Sequence, residues 1–277
     1  MPRKAYFEIT NACNLKCSFC HGTKREIKFI TKEQFLLGAS RLRGFADFLY
    51  FHLLGEPLLH PMLGDFLCIA KDMGFKPIIT TNGTLLDKAG DMIIASGAIH
   101  KISISLHCWE ANQMGIPYEE YLESCFDFCE KASEKGIISV MRLWNKGGKD
   151  SLNENILERM KIKFGADWKE TYSGYKLKEK IFLEWGEKFE WPDMGNNEMP
   201  VRTCYGIRDQ IGVLCDGTVV PCCLDADGVV PLGNIYETDL TDILSTPRAK
   251  RIKESFEKGA PCEELCRRCG FATRFTK

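Results

Sequence analysis

Short apolar, β-branched runs alternate with helical patterns from the start of this 277-residue chain to about residue 186, and this alternation limits the fold more than any other feature. The candidate strands are Ala5–Thr10, Phe48–Leu53, Pro77–Thr81, Ile99–Leu106, Ile137–Leu143 and Ile181–Trp185. Helices fit between them at Thr31–Arg43, opened by a threonine cap, and at Met62–Met73, Thr84–Ser96, Tyr118–Lys135 and Leu152–Phe164. Such a series predicts parallel strands joined by crossover helices, with ligands gathered at the carboxyl ends of the strands. Six units are too few for a closed eight-stranded barrel. In the fourth helix Tyr118, Tyr121, Leu122, Cys125, Phe128, Cys129 and Ala132 share one stripe, so its two cysteines belong to the core.

Directly after the first strand comes Cys13-x-x-x-Cys17-x-x-Cys20. Three thiolates at this spacing suit an iron–sulfur cluster, and three ligands for four irons leave one iron open to a substrate or cofactor. Structural zinc wants four ligands in two separated pairs, and His21, immediately after Cys20, is poorly placed to be the fourth. A disulfide staple is not expected, since the chain shows no signal-peptide pattern and carries 14 cysteines, as in a reducing compartment. With Phe19 before the last cysteine, the loop resembles the signature of radical S-adenosylmethionine (radical SAM) enzymes. The resemblance implies a [4Fe–4S] cluster on Cys13, Cys17 and Cys20, SAM chelated at the open iron, and reductive cleavage to a 5′-deoxyadenosyl radical that removes hydrogen from a substrate. It also implies the partial (β/α)6 TIM-like barrel of that family, here over residues 1–190.

Further motifs fall at strand ends. Leu54-Gly55-Glu56-Pro57, past the second strand, resembles the Gly-Gly-Glu-Pro motif that holds the SAM amino group, with Leu54 in place of the first glycine. Gly55, Glu56 and Pro57 are therefore expected at SAM. Asn82-Gly83 follows strand three and reads equally as a simple strand-to-helix turn. Alternation puts Ser103, Ser105 and His107 on one face of strand four. Related enzymes place a polar residue there for the SAM ribose, which implies Ser105, while His107 could face the substrate. Arg142 is a charge inside an apolar run and needs a partner, either the SAM carboxylate, as in related enzymes, or a glutamate of the chain itself. His21, His52, His60 and His100 have no spacing of a metal site and are expected to be ordinary core or surface residues, as are the thiols of Cys68 and Cys108.

The stretch from Trp185 to Arg202 is rich in Pro, Gly, Asn and Trp, and residues 191–202 of it read as a connector to a second module at 203–277. There Gln210–Cys215 and Thr218–Cys222 flank Asp216-Gly217, which predicts a hairpin with a type I′ turn, and short helices are expected at Leu240–Leu244 and Pro247–Lys258. Twelve residues separate Cys204 from Gly217 and four separate Gly217 from Cys222, which resembles the opening of the SPASM and Twitch auxiliary-cluster modules. Cys204, Cys222, Cys266 and Cys269 would saturate a second [4Fe–4S] cluster, the one-cluster Twitch arrangement, with Cys262 competing with Cys266. A closed zinc site is the alternative. Asp225-Ala226-Asp227-Gly228 lacks the remaining ligands of a calcium loop and reads as a polar turn. Tyr205, Asp209 and Asp225 are candidate substrate contacts.

A net charge of −1, from 37 basic and 38 acidic residues, argues against recruitment of nucleic acid or anionic lipid by a global field. The runs Lys176 to Lys180 and Arg248 to Lys258 alternate with Glu and read as solvated helix faces. No apolar run approaches the roughly 18 residues of a membrane helix. The expectation is a cytoplasmic enzyme acting on a peptide or, less favoured, a small molecule such as a sugar or aminocyclitol, and reduced by a donor such as flavodoxin or ferredoxin. A peptide is preferred although no extra leader-peptide-binding domain is evident. A non-catalytic zinc or iron–sulfur binding protein is the reading from another class.

Overall fold

All six expected strands form in the computed structural model, which describes residues 3–112 and 115–275. They are β1 (Lys4–Phe7), β2 (Phe48–Tyr50), β3 (Lys76–Thr81), β4 (Lys101–Ser105), β5 (Ile138–Lys146) and β8 (Ile181–Glu187), paired in parallel in that order. The crossovers are α1 (Lys32–Leu42), α2 (Leu63–Asp72), α3 (Leu86–Ala95), α4 (Tyr118–Glu134) and α5 (Asn153–Phe164). Thr31 caps α1 in a capping box, accepting from the Gln34 N–H while the Gln34 side chain accepts from the Thr31 N–H. In α4 the buried set is Tyr121, Leu122, Cys125, Phe126, Phe128, Cys129 and Ala132, so both cysteines lie in the core. No helix among the described residues is long and apolar enough to cross a membrane.

Both edges of this partial barrel carry additions. Before β8 the chain makes an antiparallel pair, β6 (Lys169–Thr171) at the sheet edge and β7 (Gly174–Lys178) between β6 and β8, so the lysine run expected on a helix lies largely on a strand. Its lysines still alternate with mostly solvent-facing residues because both faces of β7 are largely exposed, which is why its charge pattern resembles that of a helix face. At the other edge β9 (Gln210–Val213) pairs in parallel with β1, followed by β10 (Thr218–Val220) and β11 (Gly233–Asn234), both antiparallel, to complete an 11-stranded sheet. The expected hairpin is thus no free-standing unit but an extension of the barrel sheet. Its turn also differs from the type I′ expectation. Asp216 keeps a negative φ and only Gly217 is left-handed, at φ 88°, in a four-residue loop closed by the Gly217 N–H on the Leu214 carbonyl. The module ends in α6 (Leu240–Ser245), α7 (Pro247–Glu257) and α8 (Glu264–Arg267).

Aromatic packing fixes α1 on the sheet. Phe35 stacks on Phe66 at 4.3 Å and on Phe7 at 5.5 Å, and meets Phe51 edge-on at 5.4 Å. Gly38 permits the approach, because a Cβ there would stand 2.5 Å from the Phe7 ring.

Just beyond β1, Glu8 is fully buried and joins four segments. Its carboxylate receives Arg25 Nη2 at 2.7 and 2.8 Å, the Leu54 N–H at 3.3 Å and the Cys215 N–H at 3.1 Å. Arg25 also donates through Nε to the Ala226 carbonyl at 2.9 Å. Removing one partner of a buried pair strands the other charge. Glu8→Ala should therefore lower the unfolding free energy of the metal-free protein by about 3–5 kcal/mol, and Glu8→Gln by less, both read from urea denaturation.

Candidate functional site

The loop leaving β1 is shaped by its own polar residues. Thr10 donates to the Lys28 carbonyl at 2.8 Å, while Asn11 donates to Glu26 O and accepts from Lys28 N, both at 2.8 Å. The return strand is thereby clamped, and Cys13, Cys17 and Cys20 are held on an outward bulge as free thiols. All three line one cavity of about 550 Å³, together with Phe19, Gly55, Glu56, Asn82 and Ser105.

Glu56 reaches that cavity because the chain turns sharply. Gly55 has φ 79°, and a Cβ on it would lie 2.3 Å from the Thr10 carbonyl oxygen, so only glycine lets the two loops meet. The Glu56 N–H then bonds Ala12 O at 2.8 Å. Leu54, where the family motif has glycine, is buried and its N–H is taken by Glu8. The Glu56 carboxylate caps the following 3-10 turn, which opens on Pro57, through the Leu58 N–H at 3.1 Å, and takes the Asn82 N–H at 2.7 Å. Burial pushes its pKa up to about 7, with the two backbone donors pulling the other way. Pro57 supports the turn but does not line the cavity.

A second cavity of about 230 Å³ adjoins the first and shares Phe19, His52, Leu53, Ser105 and Trp191 with it. Tyr6, Tyr50, His107, Arg142 and Trp144 complete its principal walls. Arg142 pairs with Glu184 at 3.0 Å and lies over the Trp144 ring at 4.9 Å, so its partner in the chain is the glutamate. Burial lowers the pKa of His107 to about 4 and that of His52 to about 3, the charge of Arg142 adding to the second effect, so both rings are neutral near pH 7. His52, expected to be an ordinary histidine, lines both cavities, and its buried Nδ1 has no hydrogen-bond partner. The sequence signal was its placement between Tyr50 and the Gly-Glu-Pro turn.

Cys108, read as an inert thiol, lines the first cavity and hydrogen-bonds Cys17, which lowers the Cys17 pKa to about 7. The candidate contacts of the second module do not reach either cavity. The Asp225 carboxylate takes the N–H groups of Val229 and Val230 at 2.8 and 2.9 Å, which makes its segment the polar turn expected. Tyr205 packs on Phe275, and Asp209 pairs with Arg208 at 2.7 Å.

Cys204, Cys222, Cys266 and Cys269 surround a separate cavity of about 30 Å³, which Cys262 does not line. Among the described residues no three His, Cys, Asp or Glu side chains converge as a single metal ion would require. A cubane cluster presents its irons at separate corners, and thiolates are its usual donors, so both cysteine sets suit clusters in donor type.

Comparison with known proteins gives two family matches: the radical SAM superfamily over residues 7–151 and the SPASM iron–sulfur cluster-binding domain over residues 204–270. The chain is 34% identical over 102 residues to the probable GTP 3′,8-cyclase of Saccharolobus solfataricus, which is 36% of this chain and 33% of that protein. It is 26% identical over 103 residues to the Fe-coproporphyrin III synthase of Methanosarcina barkeri, 36% of this chain and 26% of that one. The alignments thus span a third or less of these relatives' lengths. Among solved structures, BtrN in complex with AdoMet and 2-DOIA has a TM-score of 0.63 at 18% identity, covering 97% of this chain and 93% of that one. Native anSMEcpe with bound AdoMet and Cp18Cys peptide has a TM-score of 0.63 at 14% identity, covering 98% and 89%. Both share the fold.

The Glu56 pKa carries a measurable consequence. A carboxyl that holds its proton more tightly folded, at about 7, than at its ordinary 4.5 makes the fold lose stability as pH rises between those values. At pH 8 the loss is about 3 kcal/mol. Glu56→Gln should therefore melt above the parent at pH 8 in the metal-free state, and the gap should shrink at pH 5. An equal gap at both pH values would refute this origin.

Proposed function

Because the chain belongs to the radical SAM superfamily and carries a SPASM iron–sulfur module, we propose that this enzyme cleaves SAM reductively and oxidises a peptide substrate by hydrogen abstraction. One observation carries the reading: three closely spaced thiols and the Glu56 carboxylate line a single cavity, and a second cavity adjoins it. A [4Fe–4S] cluster with SAM supplies one-electron cleavage to a 5′-deoxyadenosyl radical when bound there. Cys13, Cys17 and Cys20 would each hold one iron and leave the remaining iron open to SAM. Glu56 would receive the SAM amino group, with Gly55 and Pro57 fixing the turn that presents it, Ser105 would face the ribose, and Phe19 lines both cavities. Arg142, already paired with Glu184, serves the substrate cavity rather than the SAM carboxylate.

Cys204, Cys222, Cys266 and Cys269 would hold an auxiliary iron–sulfur cluster, whose chemistry when bound would be to accept one electron from the substrate, so that hydrogen abstraction and loss of a proton would amount to a two-electron oxidation. The substrate cavity has aromatic walls and room for one amino-acid side chain, which supports a peptide. A small molecule is the second reading, favoured by the full-length likeness to BtrN with 2-DOIA. A flavodoxin or ferredoxin would reduce the first cluster in the cytoplasm, with residues 1–190, 191–202 and 203–277 as barrel, connector and auxiliary module.

Anaerobic reconstitution should give about eight irons per chain. The reduced protein with SAM and peptides encoded beside its gene should release 5′-deoxyadenosine and a peptide lighter by two hydrogens, followed by mass spectrometry. Serine at positions 13, 17 and 20 together should abolish both products, and retention of the parent rate would sink the assignment.

A further inference from the structure

The side chain of Asn112 touches the cluster loop from a distant part of the chain. It lies just after the 3-10 turn Leu106–Cys108 that follows β4, and its own N–H bonds the Trp109 carbonyl at 3.2 Å. Its Oδ1 accepts the Lys16 N–H at 2.9 Å, and its Nδ2 donates to Cys17 Sγ at 3.1 Å and to the Cys108 carbonyl at 2.7 Å. The orientation of this amide is determined, because the Lys16 N–H can only meet an acceptor and the Cys108 carbonyl only a donor. The Nδ2 is therefore the atom against the sulfur.

The other two thiols are treated differently. Cys20 Sγ receives the Gly22 N–H at 3.4 Å and Cys13 Sγ the Leu15 N–H at 3.5 Å, both from two residues further along the same loop. Asn82 Nδ2 stands 4.0 Å from Cys13 Sγ, too far for a strong bond. Such local backbone donors come with the loop's own shape. Asn112, 95 residues from Cys17, is a separate provision for one sulfur.

We propose that Asn112 is a positioning residue that raises the reduction potential of the cluster on Cys13, Cys17 and Cys20. The proposal rests on the assignment of that cluster made above. Reduction adds an electron whose charge spreads onto the ligand sulfurs, and an N–H aimed at one of them stabilises the reduced form more than the oxidised form. Because the same amide holds the Lys16 N–H, the donor stays in register with the loop it acts on.

Two variants separate this role from a merely structural one. Asn112→Asp keeps an acceptor for the Lys16 N–H but replaces the donor with a negative charge beside the sulfur. Asn112→Ala removes both. The readout is a potentiometric titration of the reconstituted protein followed by electron paramagnetic resonance, with the auxiliary signal defined in the variant bearing serine at positions 13, 17 and 20. At a fixed potential the ratio of reduced to oxidised first cluster should fall about tenfold in Asn112→Asp, which is about 59 mV for one electron, and by less in Asn112→Ala. Loss of about half the iron from the Asp variant while the Ala variant keeps it would report the same contact, through repulsion of the thiolate. Ratios within twofold of the parent in both variants would overturn the proposal, and so would equal loss of iron from both. A parent that binds no cluster at these cysteines would instead overturn the underlying assignment.

Discussion

One buried carboxylate decides where the functional loops can sit. Glu8 is fully enclosed at the end of β1, and a lone carboxylate there would be untenable without partners. The partners come from the cysteine loop through Arg25, from the Gly-Glu-Pro turn through the Leu54 N–H, and from the β9–β10 turn through the Cys215 N–H. Each of these segments is irregular and could not be placed by the sheet alone. Satisfying one charge therefore sets three loops relative to one another, and the first cavity is the space left between two of them.

That constraint also explains the departure from the usual first glycine of the motif. A glycine at position 54 would serve only its backbone N–H here, and that N–H is directed at Glu8 in any case. The leucine side chain is then free to be buried against the first cavity. Gly55 has no such latitude, because the contact its missing Cβ would make is with the backbone of the cysteine loop.

The parallel strands and crossover helices were legible because their signals are local: apolar periodicity, the Thr31 cap and the strand-ending glycines all lie within one element. The cysteine loop was legible for the same reason. What the sequence hid depends on strands far apart in the chain meeting side by side. Tyr6 and Tyr50 stack at 4.5 Å across β1 and β2, and His52 meets both edge-on, yet each looks like an ordinary strand residue when read singly. Arg142 was recognisable as a charge needing a partner, but Glu184 became its partner only through the β5–β8 register. The β6–β7 pair escaped notice because its faces are almost wholly solvated, which leaves no alternation of apolar and polar residues to find.

The parallel pairing of β9 with β1 has its largest consequence at Cys222 and Cys223. Just beyond β10 these neighbours point to different sides: Cys222 lines the cavity of the second cysteine set and Cys223 lines the cavity beside Phe19 and His52. Tyr6 of β1 and Cys223 line that same cavity. On the opposite wall Trp191, from the connector, donates to the Phe19 carbonyl at 3.0 Å and so closes the connector over the cysteine loop. The second cavity therefore has Phe19, beside the first cysteine set, and Cys223, beside Cys222 of the other set, in its lining. A free-standing module on a flexible linker could not hold that spacing. Extending the barrel sheet through β9 and β10 instead ties Cys222, just beyond β10, to the register of β1.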